Sequence, residues 1–214
     1  MLPRAEKKLQ TRHTLLQSTL DLMDGGRGFC GLSLREVTRQ AGVVPAAFYR
    51  HFEDMDQLGL ALVQESTQSL LTAIRQVRHN ELEVGGAIDA SVRIFLDHVE
   101  ANRQHFMFLA REQFGGSSLV RQAITNVYRQ FSNDLMADLA DMSRLKHLDR
   151  EDLAILSDLL IKAVFSSLPD VLDHLESPAT APFDPQSALV HKLRFIMIGA
   201  KHWLGIRGGK DQRL

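Results

Sequence analysis

One cysteine, Cys30, stands among 214 residues, so the chain can form neither an internal disulfide nor a cysteine metal cluster. A buried or half-buried structural thiol is the expected role for Cys30. Long apolar runs are absent as well: none approaches the ~18 residues of a membrane helix. The opening M-L-P-R-A-E-K-K has no apolar signal region, and a cytoplasmic protein is expected. Catalytic signatures are missing: there is no H-E-x-x-H, no G-x-S-x-G, no P-loop and no dinucleotide fingerprint. Nine histidines are present, but no pair has ligand spacing with a third partner. His98, His105, His191 and His202 therefore read as helix-surface residues, and no catalytic residue, metal site or cofactor is expected. Strand alternation, internal repeats and low-complexity segments are also lacking, which leaves an all-α fold.

What is present is ordinary in bulk and uneven in detail. Apolar residues make up 44% and charged residues 24%, as in a soluble globular protein, and the formal net charge is only −1. Up to Phe52, however, Arg4, Lys7, Lys8, Arg12, Arg27, Arg35, Arg39 and Arg50 face Glu6, Asp21, Asp24 and Glu36, a local charge of +4. The remainder carries about −5, an asymmetry that favours an anion-facing N-terminal end. Lys8 and Arg12 are possible phosphate contacts, although solvated surface charge explains each singly.

Residues 33–52, S-L-R-E-V-T-R-Q-A-G-V-V-P-A-A-F-Y-R-H-F, describe two short helices joined by a tight turn. Ser33 and Glu36 make a capping box, and Leu34, Val37 and Ala41 give the first helix one buried face. Gly42 suits a helix-ending left-handed residue, and Pro45 suits the first turn of the next helix. Phe48 and Phe52, four apart, should lock that helix into the core and leave Ala46, Ala47, Tyr49, Arg50 and His51 facing outward. Such a surface fits the major groove of DNA. The two alanines let base edges come close, and Arg50 carries the fork that pairs with guanine O6 and N7. Ser33, Thr38 and Tyr49 can donate to phosphate oxygens. Arg35, Val44, Pro45 and His51 complete the expected DNA-facing set. A plain αα-hairpin shares the spacing, but the cap, the A-G turn, the small outward positions and the Y-R-H-F ending favour a helix-turn-helix.

The segment resembles the helix-turn-helix of the TetR family of transcriptional repressors, S/T-L-x-x-V-A-x-x-A-G-V-S-x-G-x-L-Y-x-H-F. P-x-x-F-Y-R-H-F-x-D-x-D-x-L-G is similar, more narrowly, to the subgroup containing FabR and DesT, repressors of unsaturated fatty acid synthesis. R-A-E-K-K at residues 4–8, S-V-R-I-F-L-D near Phe95, F-L-A-R-E-Q near Arg111 and L-R-F-I-M-I-G near Phe195 extend the likeness to that subgroup along most of the chain. Val44 stands where the family commonly has Ser, Ala46 where it has Gly, and Met55 where it has a phosphate-contacting Lys. Base preference therefore cannot be copied from relatives. The resemblance implies a three-helix DNA-binding domain over 1–53 and a larger helical ligand-binding and dimerisation domain over 54–214. It also implies a homodimer that reads a roughly palindromic operator.

Further helices are expected at 6–24, 54–79, 88–101, 104–113, 119–143, 150–176 and 186–204, with a proline-containing linker at 177–185. In the last two, Leu153, Leu156, Leu160, Val164, Leu168, Val171 and Leu175, then Leu189, Leu193, Ile196, Ala200 and Trp203, step by three or four residues. Ile161, Phe165, Val190 and Met197 add apolar positions on other faces, more than one core needs. Leu160, Val164, Leu193, Ile196, Ala200 and Trp203 are the expected dimer contacts, with intramolecular core the plain alternative for each.

Eight of the eleven Phe residues lie beyond residue 90, accompanied by Met107, Met136, Met142 and Met197. Flexible thioethers suit a cavity that adapts to its occupant, although an aromatic helical core explains the same composition. Phe95, Phe106, Phe108, Leu109, Phe114, Phe131, Phe165 and Leu168 are the expected pocket. The family resemblance implies a long-chain acyl-CoA effector controlling desaturase or unsaturated fatty acid synthesis genes. A sixteen-carbon tail offers ~12 kcal/mol of gross burial, and saturated and cis-unsaturated tails bury nearly equal area, so shape must discriminate. A differential of about 1–3 kcal/mol, passed through the tilt of the helix at 54–79, suffices for regulation. Arg103, Arg111, Arg121, Lys192, Arg194 and Lys201 are candidates for the CoA phosphates, each explicable as surface charge. A repressor of efflux or catabolic genes responding to another hydrophobic molecule has the same DNA-binding half. An acyl-CoA-processing enzyme would need a nucleophile or base that nothing marks.

Overall fold

The computed structural model describes residues 3–80 (76–80 as backbone only), 86–177 and 184–204. These form helices α1 (Arg4–Asp24), α2 (Leu34–Gln40), α3 (Pro45–Phe48), α4 (Met55–Asn80), α5 (Gly86–Ala101), α6 (Arg103–Glu112), α7 (Ser118–Asp141), α8 (Arg150–Phe165), α9 (Leu168–Glu176) and α10 (Pro185–Lys201). Short 3-10 turns cover Phe29–Gly31 and Ser143–Leu145, and no strand occurs among the described residues.

The chain divides into two compact units, Met1–Leu70 with His98–Asn126, and Leu71–Asp97 with Val127–Leu214. The division does not fall at the expected residue 53, since α6 packs on α1 and joins the N-terminal core. In the first unit α1 contributes Leu15, Leu16, Leu20 and Met23 to the core, and α4 contributes Leu58, Leu62, Val63 and Leu70. Helix α6 completes it with buried Phe106, Phe108 and Leu109. Phe108 meets Phe29 edge-on, with ring centroids 5.9 Å apart. Asp54 caps α4 by accepting from Gln57 N at 2.8 Å, as its sequence position suggested.

In the second unit the core draws on Phe95 of α5, Phe131 and Leu139 of α7, Leu153, Leu156, Leu160 and Phe165 of α8, Leu168, Val171 and Leu172 of α9, and Leu189, Val190 and Leu193 of α10. Asp149 and Asp184 cap α8 and α10 through backbone N–H groups two or three residues on. Arg194 holds Asp89 at 2.7 Å, tying α10 to α5. The single helix expected over 150–176 is interrupted. Ser166 and Ser167 turn their hydroxyls back to Ala163 and Val164 carbonyl oxygens, and Pro169, which has no N–H to donate, lies in the first turn of α9. Most of the expected linker at 177–185 lies outside the described residues, and Pro185 already opens α10.

Candidate nucleic-acid interface

The second helix of the motif owes its position to the first. Ser33 N and Oγ both donate to Glu36 Oε2, at 2.9 and 2.8 Å, and Glu36 N donates back to Ser33 Oγ at 3.3 Å. Arg27 Nη1 binds the other carboxylate oxygen at 3.0 Å, while its Nη2 donates to Gly31 O at 2.6 Å. The Arg27 and Ser33 hydrogen bonds hold the Glu36 carboxyl at about 2. Gly42 adopts φ +65°, the left-handed turn expected of it. Val44, extended, then leads into α3 with Pro45 in its first turn.

Helix α3 is a single turn, but its hydrogen bonding runs on: His51 N donates to Phe48 O at 2.8 Å and Phe52 N to the same oxygen at 3.1 Å. Phe48 and Phe52 are buried and pack together at 5.5 Å, which anchors the segment as its spacing indicated. Val44, Pro45, Ala46, Tyr49 and Arg50 are left exposed, with Ala47 and His51 half-buried. Arg35 is exposed on α2. The first helix adds to this surface. The Arg12 guanidinium lies 4.5 Å from the centre of the Phe52 ring, and its Nη1 reaches His51 O at 3.5 Å. Burial, followed by the charges of Lys8, Arg12 and Arg50, lowers the His51 pKa below its ordinary 6.5. Lys8, Arg12 and Arg50 thus each stand close enough to act on His51, a grouping suited to polyanion contact.

Two expected phosphate donors are corrected. Thr38 is buried, and its hydroxyl donates to Leu34 and Arg35 carbonyl oxygens within α2. Ser33 spends its one hydroxyl proton on Glu36 and acts as a cap. Conversely, Lys8 and Arg12, rated only as possible contacts, stand beside the recognition segment. Their i, i+4 spacing on α1 was the signal.

The expected pocket residues do not form one cluster. Phe106, Phe108 and Leu109 belong to the core of the first unit, whereas Phe95, Phe131 and Phe165 share ring contacts in the second, where Leu168 is also buried. Phe114 is 85% exposed, just past the end of α6, and is not part of an interior. Leu160 and Leu193, expected at a dimer contact, are buried within the protomer, while Val164, Ile196 and Ala200 are half-buried. Trp203 is partly exposed, with its Nε1 donating to Asp152 at 2.9 Å. Among the CoA-phosphate candidates, Arg111, Arg121 and Arg194 already hold Met23 O, the Gly115 and Gly116 carbonyls, and Asp89. Cys30, expected to be at least half-buried, is exposed. No group of three or more His, Cys, Asp or Glu residues that could hold a metal occurs among the described residues.

A capped helix-turn-helix with a basic outer face, followed by a larger helical region, defines a DNA-binding transcriptional regulator. Residues 19–62 match the family model for bacterial regulatory proteins of the tetR family, and residues 84–199 match the tetracyclin repressor-like C-terminal domain. The chain belongs to the TetR family; it is a regulator and not an enzyme. Among solved structures it is similar to the fatty acid degradation regulator FadR of Bacillus halodurans (TM-score 0.66, 13% identity, 88% of this chain and 95% of that one). It is similar also to FadR of Bacillus subtilis in complex with stearoyl-CoA (0.62, 13%, 87% and 98%) and to SmeT in complex with triclosan (0.67, 14%, 96% and 99%). At such identities the likeness is one of fold. No helix among the described residues is long and apolar enough to cross a membrane.

Proposed function

We propose that this regulator is a cytoplasmic repressor of the FabR and DesT type. It binds a palindromic operator as a homodimer and senses long-chain acyl-CoA to control unsaturated fatty acid synthesis. The observation that carries the DNA half is the grouping of Arg50, Arg12 and Lys8 around His51 at the C-terminal end of the recognition segment. Arg50, with Ala46 and Ala47, reads base edges; Tyr49, Lys8 and Arg12 take backbone phosphates. Ile155 and Leu159 of α8 and Phe195 and Ile198 of α10 are exposed on two helices that pack together, and they form the contact with a second copy. The acyl effector is supported by the sequence likeness to the lipid-responsive subgroup and by the Phe95, Phe131 and Phe165 cluster of the second unit. Helix α4, which contributes residues to both units, carries the signal.

A second reading, a repressor responding to another hydrophobic molecule, is favoured by the fold likeness to a protein crystallised with triclosan. Mass spectrometry of ligands co-purifying under native conditions separates the two: a fatty acyl species supports the first reading, and any other hydrophobic compound the second. Operator binding measured with saturated and unsaturated acyl-CoA then tests regulation. Identical shifts with both refute discrimination by tail shape.

A further inference from the structure

Tyr128 of α7 stands in the aromatic cluster of the second unit. Its ring stacks on Phe165 of α8 at 4.2 Å with 24° between the planes. Phe95 of α5 meets Phe165 near-perpendicularly at 5.9 Å, and Phe131 meets it at 5.4 Å. The three phenylalanines are buried and carry no polar atom beyond the backbone. Tyr128 alone brings one, and its hydroxyl is buried with no hydrogen-bond partner among the described residues. Buried polar atoms are almost always partnered, and a Phe in this place would give the same stacking without that cost. An orphan hydroxyl in an otherwise hydrocarbon cluster is a strain that a ligand can relieve. Burial also raises the phenol pKa above its ordinary value, so the group remains a protonated donor at any physiological pH.

We propose that Tyr128 Oη is the donor that seats an acyl carbonyl oxygen of the effector, with the hydrocarbon of the effector against Phe95, Phe131 and Phe165. This rests on the acyl-effector reading above and deepens it by fixing the chemistry: an apolar body bearing one hydrogen-bond acceptor. Three hydrocarbon rings against the hydroxyl favour a neutral carbonyl over a carboxylate, whose charge would be costly to bury there. A thioester presents such an oxygen, whereas an ionised free fatty acid presents a carboxylate, and the test separates them.

The full-length protein and Tyr128→Phe are titrated calorimetrically with palmitoyl-CoA, with S-hexadecyl-CoA, a thioether that lacks the carbonyl, and with palmitate. The wild type is expected to bind palmitoyl-CoA roughly three- to tenfold more tightly than the thioether, the worth of one neutral hydrogen bond. Tyr128→Phe should bind both alike. A loss on Tyr128→Phe seen only with palmitate would place a carboxylate at Tyr128 and overturn the neutral-carbonyl assignment. The variant keeps the ring and its stacking, so its ligand-free unfolding midpoint should be no lower than that of the wild type. A lower midpoint would mean that the hydroxyl is already satisfied within the fold, and would overturn the proposal. Equal preference for thioester over thioether in both proteins overturns it while leaving the acyl reading intact. Failure of the wild type to bind any of the three overturns the acyl reading, and this proposal with it.

Discussion

Replacing Phe195 by alanine tests the proposed dimer at the most exposed apolar side chain of α10. The side chain is 81% exposed on α10, whereas Leu193, two residues away, is 6% exposed. Phe195 therefore contributes little to the protomer and has nearly its whole apolar surface available to a partner. Burying such a ring stabilises by about 1.5–3 kcal/mol. In a two-fold interface each substitution is felt twice, giving about 3–6 kcal/mol and a rise in dimer dissociation constant on the order of 10²–10⁴. Sedimentation equilibrium over a concentration series measures this directly, and an unchanged far-ultraviolet circular dichroism spectrum checks that the helices persist. Leu193→Ala is the contrast: it opens a cavity inside the protomer and should cost about 2–5 kcal/mol of folding stability. The reasoning fails if Phe195→Ala associates like the wild type. It fails also if the wild type is monomeric at concentrations where it occupies its operator.

Arg50→Ala should cost about 1–3 kcal/mol of discrimination between operator and random DNA, measured as a ratio of dissociation constants; equal loss on both would make Arg50 a phosphate contact. Glu36 predicts a pH dependence. Its carboxyl is depressed from 4.5 to about 2, so the carboxylate contributes stability above pH 4.5 that is lost as the pH falls through about 2. Glu36→Gln should flatten the fall of the urea midpoint within that window, and parallel profiles for the two proteins would contradict the assignment. Gly59→Ala places a Cβ 2.7 Å from Val120 Cγ2 and 2.9 Å from the buried Phe29 ring. Overpacking of about 1–3 kcal/mol should outweigh the ~1 kcal/mol gained from better helix propensity. A higher unfolding midpoint in the variant would show that the neighbours yield.

The helix-turn-helix was legible in the sequence because its determinants are local: a cap three residues long, a left-handed glycine, a proline in a first turn and an i, i+4 pair of phenylalanines. Orientation beyond one turn was less so. Leucine spacing marked α8 and α10 as amphipathic but could not say which apolar stripe faces inward, so Leu160 and Leu193 were placed at a partner surface while Phe195 was not. Thr38 looked available because spacing does not record how α1 packs on α2. The break before α9 follows from Pro169 and the two preceding serines, whose preference for local hydrogen bonds competes with a long leucine periodicity. Tyr128 left no trace in the pattern. An orphan hydroxyl is a property of three helices meeting, not of any segment.

The extent of the DNA-binding unit is the remaining point, and Glu112 decides it. This carboxylate is 2% exposed, 83 positions along the chain from Phe29, whose backbone N–H it accepts at 2.8 Å. Its neighbour Arg111 donates to Met23 O at 2.7 Å, so the end of α6 grips the end of α1 and the turn that follows. That turn passes through Arg27, which pairs with the capping Glu36 of α2. A continuous set of contacts thus runs from α6 to the helix that positions the recognition segment. Gly115 keeps it open, because a Cβ there would collide with the Glu112 carboxylate. Glu112→Ala should leave the Phe29 N–H buried and unpaired, at about 1–3 kcal/mol, and Gly115→Ala should act similarly by displacing the acid. Glu112→Gln preserves shape and an acceptor and should recover most of the loss. Amide hydrogen exchange at Phe29 reports the bond, and operator affinity reports its consequence. If Glu112→Ala leaves exchange, unfolding midpoint and operator affinity at wild-type values, α6 is a neighbour of the DNA-binding unit and not part of it.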